Sequence, residues 1–237
     1  MKTVQFFFLS MIFFLTVGFA KANPAKGLQE NDLTRIYEID RFNELFLEGA
    51  FKVYLIQGNE NSLEVRASDS GAFEYLDMDN RSGRLHLHVD REPFDFSRIT
   101  LYLTFRNFER LRIEGGIKLQ TRGYLDLNDF MVDVKGGAKV EIKAKSRNIG
   151  IRTEGGVMFE LDGVAESLDV KVTGAGHVDA DELKTKDVTF FIEGVGTGSV
   201  YATETLNATI KGVGKIKYRG NPQLTEFIDG LGSVKRE

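Results

Sequence analysis

Cysteine and tryptophan are absent from the 237 residues, and proline and histidine occur 3 times each. Without cysteine there is neither a disulfide nor a thiolate metal centre, so stability must come from burial and strand pairing, and a Cys nucleophile is excluded. Scarce proline and the lack of Ser-rich tracts mean that the 25 glycines point to turn-dense β structure rather than to a disordered linker protein. The catalytic signatures GxSxG and HExxH are missing, and no Gly pair is followed by GKS/T or by a helical pattern, so a phosphate-binding loop is not indicated.

What the chain does contain is one short phrase seven times over: IEGGIKL, VKGGAKV, TEGGVMF, VTGAGHV, IEGVGTG, IKGVGKI and IDGLGSV. The first glycines are Gly115, Gly136, Gly155, Gly174, Gly194, Gly212 and Gly230, in steps of 21, 19, 19, 20, 18 and 18 residues. A fixed period near twenty is the signature of a stacked repeat. Around each Gly the even offsets are apolar and the odd ones mostly polar, as in Ile113, Val134, Val172, Ile192 and Ile210 two places before it. That is period-two alternation, hence strand.

The copies are too close for a crossover helix, which alone takes a dozen residues. At about 3.3 Å per residue one copy traces a closed coil of roughly 60 to 70 Å, one rung of a stack. The expected fold is therefore all-β, a parallel β-solenoid or β-helix-like stack of repeats preceded by an N-terminal β region. An antiparallel meander closed into a sandwich or barrel is the alternative. The residues just before each Gly are Glu114, Lys135, Glu154, Thr173, Glu193, Lys211 and Asp229, a mixed-sign column of the kind stacked strands tolerate.

The first 22 residues read as a signal peptide: Lys2, an apolar run from Val4 to Phe19, then Ala20-Lys21-Ala22. An uncleaved anchor is the alternative, but the run is short for a span. Cleavage removes Lys2 and Lys21 and no acid, leaving 29 basic against 35 acidic residues, a net charge of −6. A mildly acidic chain with interleaved charges has no electrostatic case for nucleic acid or for a polybasic membrane contact. The expected organisation is signal peptide 1–22, tether 23–34, N-terminal β region 35–105 and Gly-repeat solenoid 106–237. The mature chain is expected to be exported, to the periplasm or outer cell surface, with no later transmembrane span.

Within the N-terminal region the phrase Leu47-Glu48-Gly49-Ala50-Phe51-Lys52-Val53 resembles the later repeat, and residues 69–105 read as an insertion. There Ala72 to Leu76 is weakly helical or irregular, RLHLHVD and ITLYLTF alternate as strands, and the segment around Pro93 is a loop. Phe94 and Phe96 on that loop are a candidate contact surface or a cover over the end of the core. His86 and His88 share one strand face at a spacing a metal site uses; Asp90 shares their parity and Asp77 and Asp79 are the nearest other acids, yet none completes a ligand set and no metal or cofactor is assigned.

Glu141, Glu160 and Asp179 each stand five residues after the phrase's Gly, which predicts an acidic column on the outer face of three successive copies. Such a column suits Ca²⁺ or a carbohydrate-active enzyme. A regular repeat also produces it without any catalytic purpose, and a non-enzyme is expected. The last copy, DGLGSV, carries no polar cap, which points to self-assembly into a homo-oligomer or to a cap folded over from the insertion.

The signal segment, the opening FNELFLEGAFKVYLIQG…LEVRAS and the run of Gly phrases together resemble the head GIN domain family, exported proteins of Bacteroidetes-type bacteria named for auto-transporter adhesins. The resemblance covers about Ile36 to Val234. It implies an all-β, solenoid-like fold, an exported location and binding of a cell-surface polysaccharide or protein, and it brings no catalytic residues.

Overall fold

The computed structural model describes residues 33–90 and 98–237. The stretch read as a signal peptide, most of the stretch read as a tether, Phe94 and Phe96 lie outside the described residues. The rest is β structure: β1 (Thr34–Glu38), β2 (Glu44–Gly49), β3 (Lys52–Gln57), β4 (Ser62–Ala67), β5 (Leu76–Arg81), β6 (Arg84–Val89), β7 (Ile99–Phe105), β8 (Arg110–Gly115), β9 (Lys118–Thr121), β10 (Leu125–Asp126), β11 (Asp129–Gly136), β12 (Lys139–Arg219) and β13 (Gln223–Arg236). The piece expected to be weakly helical is a 3-10 turn over Ser70–Tyr75, pinned by buried Ala72 and Phe73.

All thirteen strands form one sheet, with main path β1-β4-β7-β3-β9-β12-β11-β8-β2-β6-β5 and with β10 and β13 also on β12. Two arms meet at β12: one runs through β9, β3, β7, β4 and β1, the other through β11, β8, β2, β6 and β5. The chain passes between arms at its Gly phrases, from β2 to β3 after Gly49 and from β8 to β9 after Gly115. An extended backbone cannot turn that corner with a side chain in place. Gly115 has φ +111°, and a Cβ there would sit 2.3 Å from the carbonyl oxygen of Gly49. At Gly156, one residue past another of these corners, a Cβ would meet nothing within 4 Å.

The repeat glycines lie against one another. Gly49 pairs with Gly115, Gly115 with Gly136, Gly136 with Gly155, and Gly212 with Gly230. β12 stays extended for 81 residues. A straight strand of that length would span about 270 Å, but its start pairs with β9, β10 and β11 and its end with β13, all in parallel. The inward line follows the same register: Leu47 beside Ile113, Ile113 beside Val134, Val134 beside Thr153, and Ile210 beside Ile228. Leu47, Ile113, Val134, Val172, Ile192 and Ile210 are buried, and Thr153 interrupts the line with a buried hydroxyl that has no hydrogen-bond partner among the described residues.

The sheet departs from a wholly parallel stack. β1–β4, β4–β7 and β5–β6 are antiparallel, so the sheet is mixed. For β5–β6 the reason is local. β5 and β6 are joined by the two-residue turn Ser82-Gly83, with φ +52° and +77°, and a turn that short can only return the chain antiparallel. At the other end β13 is the exposed strand, with Phe227 57% and Leu231 75% accessible.

Candidate functional site

Two polar clusters stand out on the outer faces, one on each side of the glycine corner. The first follows the corner. Val140 and Ile142, Phe159 and Leu161, and Val178 and Ala180 are buried, so the alternation turns Glu141, Glu160 and Asp179 outward. These three acids line one open cleft of about 270 Å³ together with Gln120, Lys143, Asp162, Asp181 and Glu182. The expected acidic column is therefore brought together.

Its cations, which the sequence analysis did not assign, lie two residues to either side on the same face. Lys139 Nζ is 2.6 Å from Glu141 Oε1 and 3.5 Å from Glu160 Oε1. Lys143 Nζ is 3.1 Å from Asp162 Oδ2, and the Tyr124 hydroxyl donates to Asp162 Oδ1 at 3.0 Å. Gln120 Nε2 donates to Glu141 Oε2 at 2.8 Å, and Ser199 Oγ donates to Asp179 Oδ1 at 2.5 Å. Hydrogen bonding to Glu141 holds the Lys139 ammonium above its usual range, and Asp162 does the same for Lys143 and for the Tyr124 phenol. Asp181 differs: burial raises its carboxyl, the nearby Asp179 charge raises it further, and Arg219, 3.0 Å away, opposes both.

The row extends sideways by register. Glu141 lies beside Gln120, Gln120 beside Tyr54, Tyr54 beside Tyr102, and Tyr102 beside Glu64. The Tyr54 and Tyr102 rings stack at 5.0 Å. The Arg122 guanidinium covers both rings at 4.5 and 5.1 Å, and that of Arg66 lies 4.4 Å from the Tyr102 ring. Two stacked tyrosines held between arginines present hydroxyl and guanidinium edges in fixed positions. Neither tyrosine was singled out in the sequence, because Tyr54 and Tyr102 meet only when β7 is laid beside β3.

The second cluster precedes the corner, on β2 and β6. His86 Nε2 lies 2.9 Å from Glu48 Oε2, and His88 Nδ1 lies 3.6 Å from the same oxygen. Phe46 stacks on His86 at 4.4 Å, and Arg112, 4.9 Å from the Phe46 ring, also pairs with Glu114 at 2.5 Å. Glu48 was the residue missing from the sequence reading of the two histidines. His177 is remote from them and bonds Thr197 at 2.7 Å.

No helix among the described residues is long and apolar enough to cross a membrane. No curated protein matches the chain. Among solved structures, a putative adhesin from Bacteroides fragilis is similar at TM-score 0.79 and 22% identity, covering 90% of this chain and 99% of that one. A structure described as a putative lipid binding protein from Parabacteroides distasonis is similar at TM-score 0.69 and 21% identity, covering 86% and 96%. A putative adhesin from Parabacteroides merdae follows at TM-score 0.62 and 20% identity, covering 86% and 95%. At such identities these likenesses speak to fold. The match that decides kinship runs over residues 41–222, and by it the chain belongs to the family described as "Putative auto-transporter adhesin, head GIN domain".

Proposed function

We propose that the protein is an exported, non-catalytic, adhesin-like binder of the bacterial cell envelope. Its Gly phrases wind as a β-solenoid that holds the row Glu64, Tyr102, Tyr54, Gln120, Glu141, Glu160 and Asp179 in line, and this row takes a surface polysaccharide. The observation that carries the reading is the lateral register of that row. Hydroxyl, amide and carboxylate groups follow one another from strand to strand, about 4.8 Å apart, the way a polymer of repeating hydroxyls would meet them. The family's adhesin description and the adhesin-like solved relatives support a binding role.

The charge of the cleft narrows the ligand. Glu141, Glu160, Asp162, Asp179, Asp181 and Glu182 outnumber the cations Lys139, Lys143 and Arg219 that pair with them. Excess carboxylate favours neutral or amine-bearing sugars and repels uronic or sulfated ones. Lys139 lies against both Glu141 and Glu160, whereas a glycosidase needs one free carboxylate and one protonated partner. Hydrolysis is therefore not the favoured use of the column.

The test is binding of the purified chain to immobilised neutral, amino and uronic polysaccharides, with polymer length measured afterwards. Retention on the neutral or amino polymers, unchanged polymer length and at least about a tenfold loss in Tyr102→Ala are expected. Preference for uronic polymers, or a Tyr102→Ala protein that binds like wild type, contradicts the proposed face. Shortened polymer contradicts the non-catalytic reading and directs attention to Asp179 and Asp181.

A further inference from the structure

We infer that Glu48, His86 and His88 form a binding site for a divalent cation of the zinc class, separate from the polysaccharide face. β2 and β6 pair in parallel with Glu48 opposite His88 and Phe46 opposite His86. Both imidazoles and the carboxylate therefore leave the sheet on one side, and their ligand atoms all lie within 4.8 Å of one another. A metal bound at about 2.0 to 2.1 Å in tetrahedral geometry needs donor atoms about 3.3 Å apart. The two separations from Glu48 Oε2, 2.9 and 3.6 Å, bracket that value.

Three further features fit a cation there. His88 Nδ1 is buried and has no hydrogen-bond partner among the described residues, although a buried ring nitrogen ordinarily finds one. Glu48 stands directly beside Glu114 on β8, a like-charge pair that costs stability unless each carboxylate is neutralised. Arg112 serves Glu114, whereas the close side-chain partners of Glu48 among the described residues are the rings of His86 and His88. Finally, His86 is fixed from behind by its stack on Phe46, which Arg112 covers on another side. Such support of a ligand's orientation is what a metal site requires of its surroundings.

Two imidazoles and one carboxylate select a borderline cation such as Zn²⁺ over Ca²⁺ or Mg²⁺, which prefer all-oxygen shells. With three protein ligands, a coordination position is left for water. Asp77 on β5 lies opposite His88 in the antiparallel register, on the side away from Glu48.

The experiment is calorimetric titration of the metal-stripped full-length chain with Zn²⁺, accompanied by thermal melts with and without chelator. One Zn²⁺ per chain is expected, with a rise in Tm that the chelator reverses. Glu48→Gln, which preserves side-chain volume, and His88→Ala are each expected to weaken binding at least about tenfold, since even outer-shell changes cost that much. His177→Ala is expected to bind as wild type. Failure of the wild-type chain to bind Zn²⁺, Ca²⁺ binding in preference to Zn²⁺, or equal Zn²⁺ binding by wild type and Glu48→Gln would overturn the site.

Discussion

The carboxylate cleft and the histidine cluster lie on opposite sides of the glycine corner, and they arise in different ways. Glu141, Glu160 and Asp179 are neighbours because the same place in three successive repeats is acidic, so one register rule assembles them. Glu48, His86 and His88 are neighbours because β6, which carries no Gly phrase, lies in parallel register on β2 with His88 opposite Glu48, and no other strand repeats those side chains. The cleft is therefore periodic and its charges are shared among several cations. The cluster is singular, and its Glu48 is paired by histidines alone among the described residues. Periodic positions build extended surfaces suited to a polymer, and singular ones build a point site suited to an ion.

Both regions hang on the corner, so the largest effect is expected there. Gly115 turns the chain from β8 to β9 and touches Gly49, which does the same from β2 to β3. Gly115→Ala places a Cβ 2.3 Å from a carbonyl oxygen at φ +111°, and backbone strain together with overpacking amounts to roughly 3 kcal/mol or more. Gly156→Ala, with open space around it, should stay within about 1 kcal/mol of wild type. Urea melts of the two variants check this. Equal midpoints would mean that the corner is not what holds the two arms together.

A smaller, pH-dependent effect separates the cleft from the cluster. Burial and Asp179 raise the Asp181 carboxyl in the folded protein. The stability linked to a raised carboxyl is fully present below its unfolded pKa and is lost as pH rises through the folded one. Asp181→Asn does not titrate, so its Tm relative to wild type should improve from pH 4 to pH 8. Thermal melts at the two pH values decide the sign. A relative Tm that falls over this range would mean that the Arg219 pair, and not burial, governs the site.

The same contrast explains what could be read in the sequence. The steps of 18 to 21 residues were enough to place Gly115 against Gly136, to align Ile113 with Val134, and to gather the acidic column, because parallel in-register stacking maps sequence period directly onto space. Likewise the resemblance of the Gly49 phrase to the repeat is matched by its pairing with Gly115, 66 positions later. The antiparallel strands β1, β4 and β5 escaped the period: β5 is set on β6 by the turn Ser82-Gly83, and β4 pairs with β1 and β7, strands far from it in the chain that no period specifies. Tyr54 with Tyr102 and Glu48 with His88 escaped for a related reason. Each is a contact between β2 or β3 and a strand within residues 69–105 that lacks the Gly phrase, and alternation alone tells which face a residue takes but not which strand lies next to it.

The claim that the row after the corner is the ligand-binding face is tested most directly by amide hydrogen exchange with and without a retained polysaccharide. Slowed exchange is expected in residues 52–57, 99–105, 118–121 and 139–143, with no change in 44–49, 84–89 and 110–115. Protection confined to the second set would contradict it and would move the polymer to the face that carries His86 and His88.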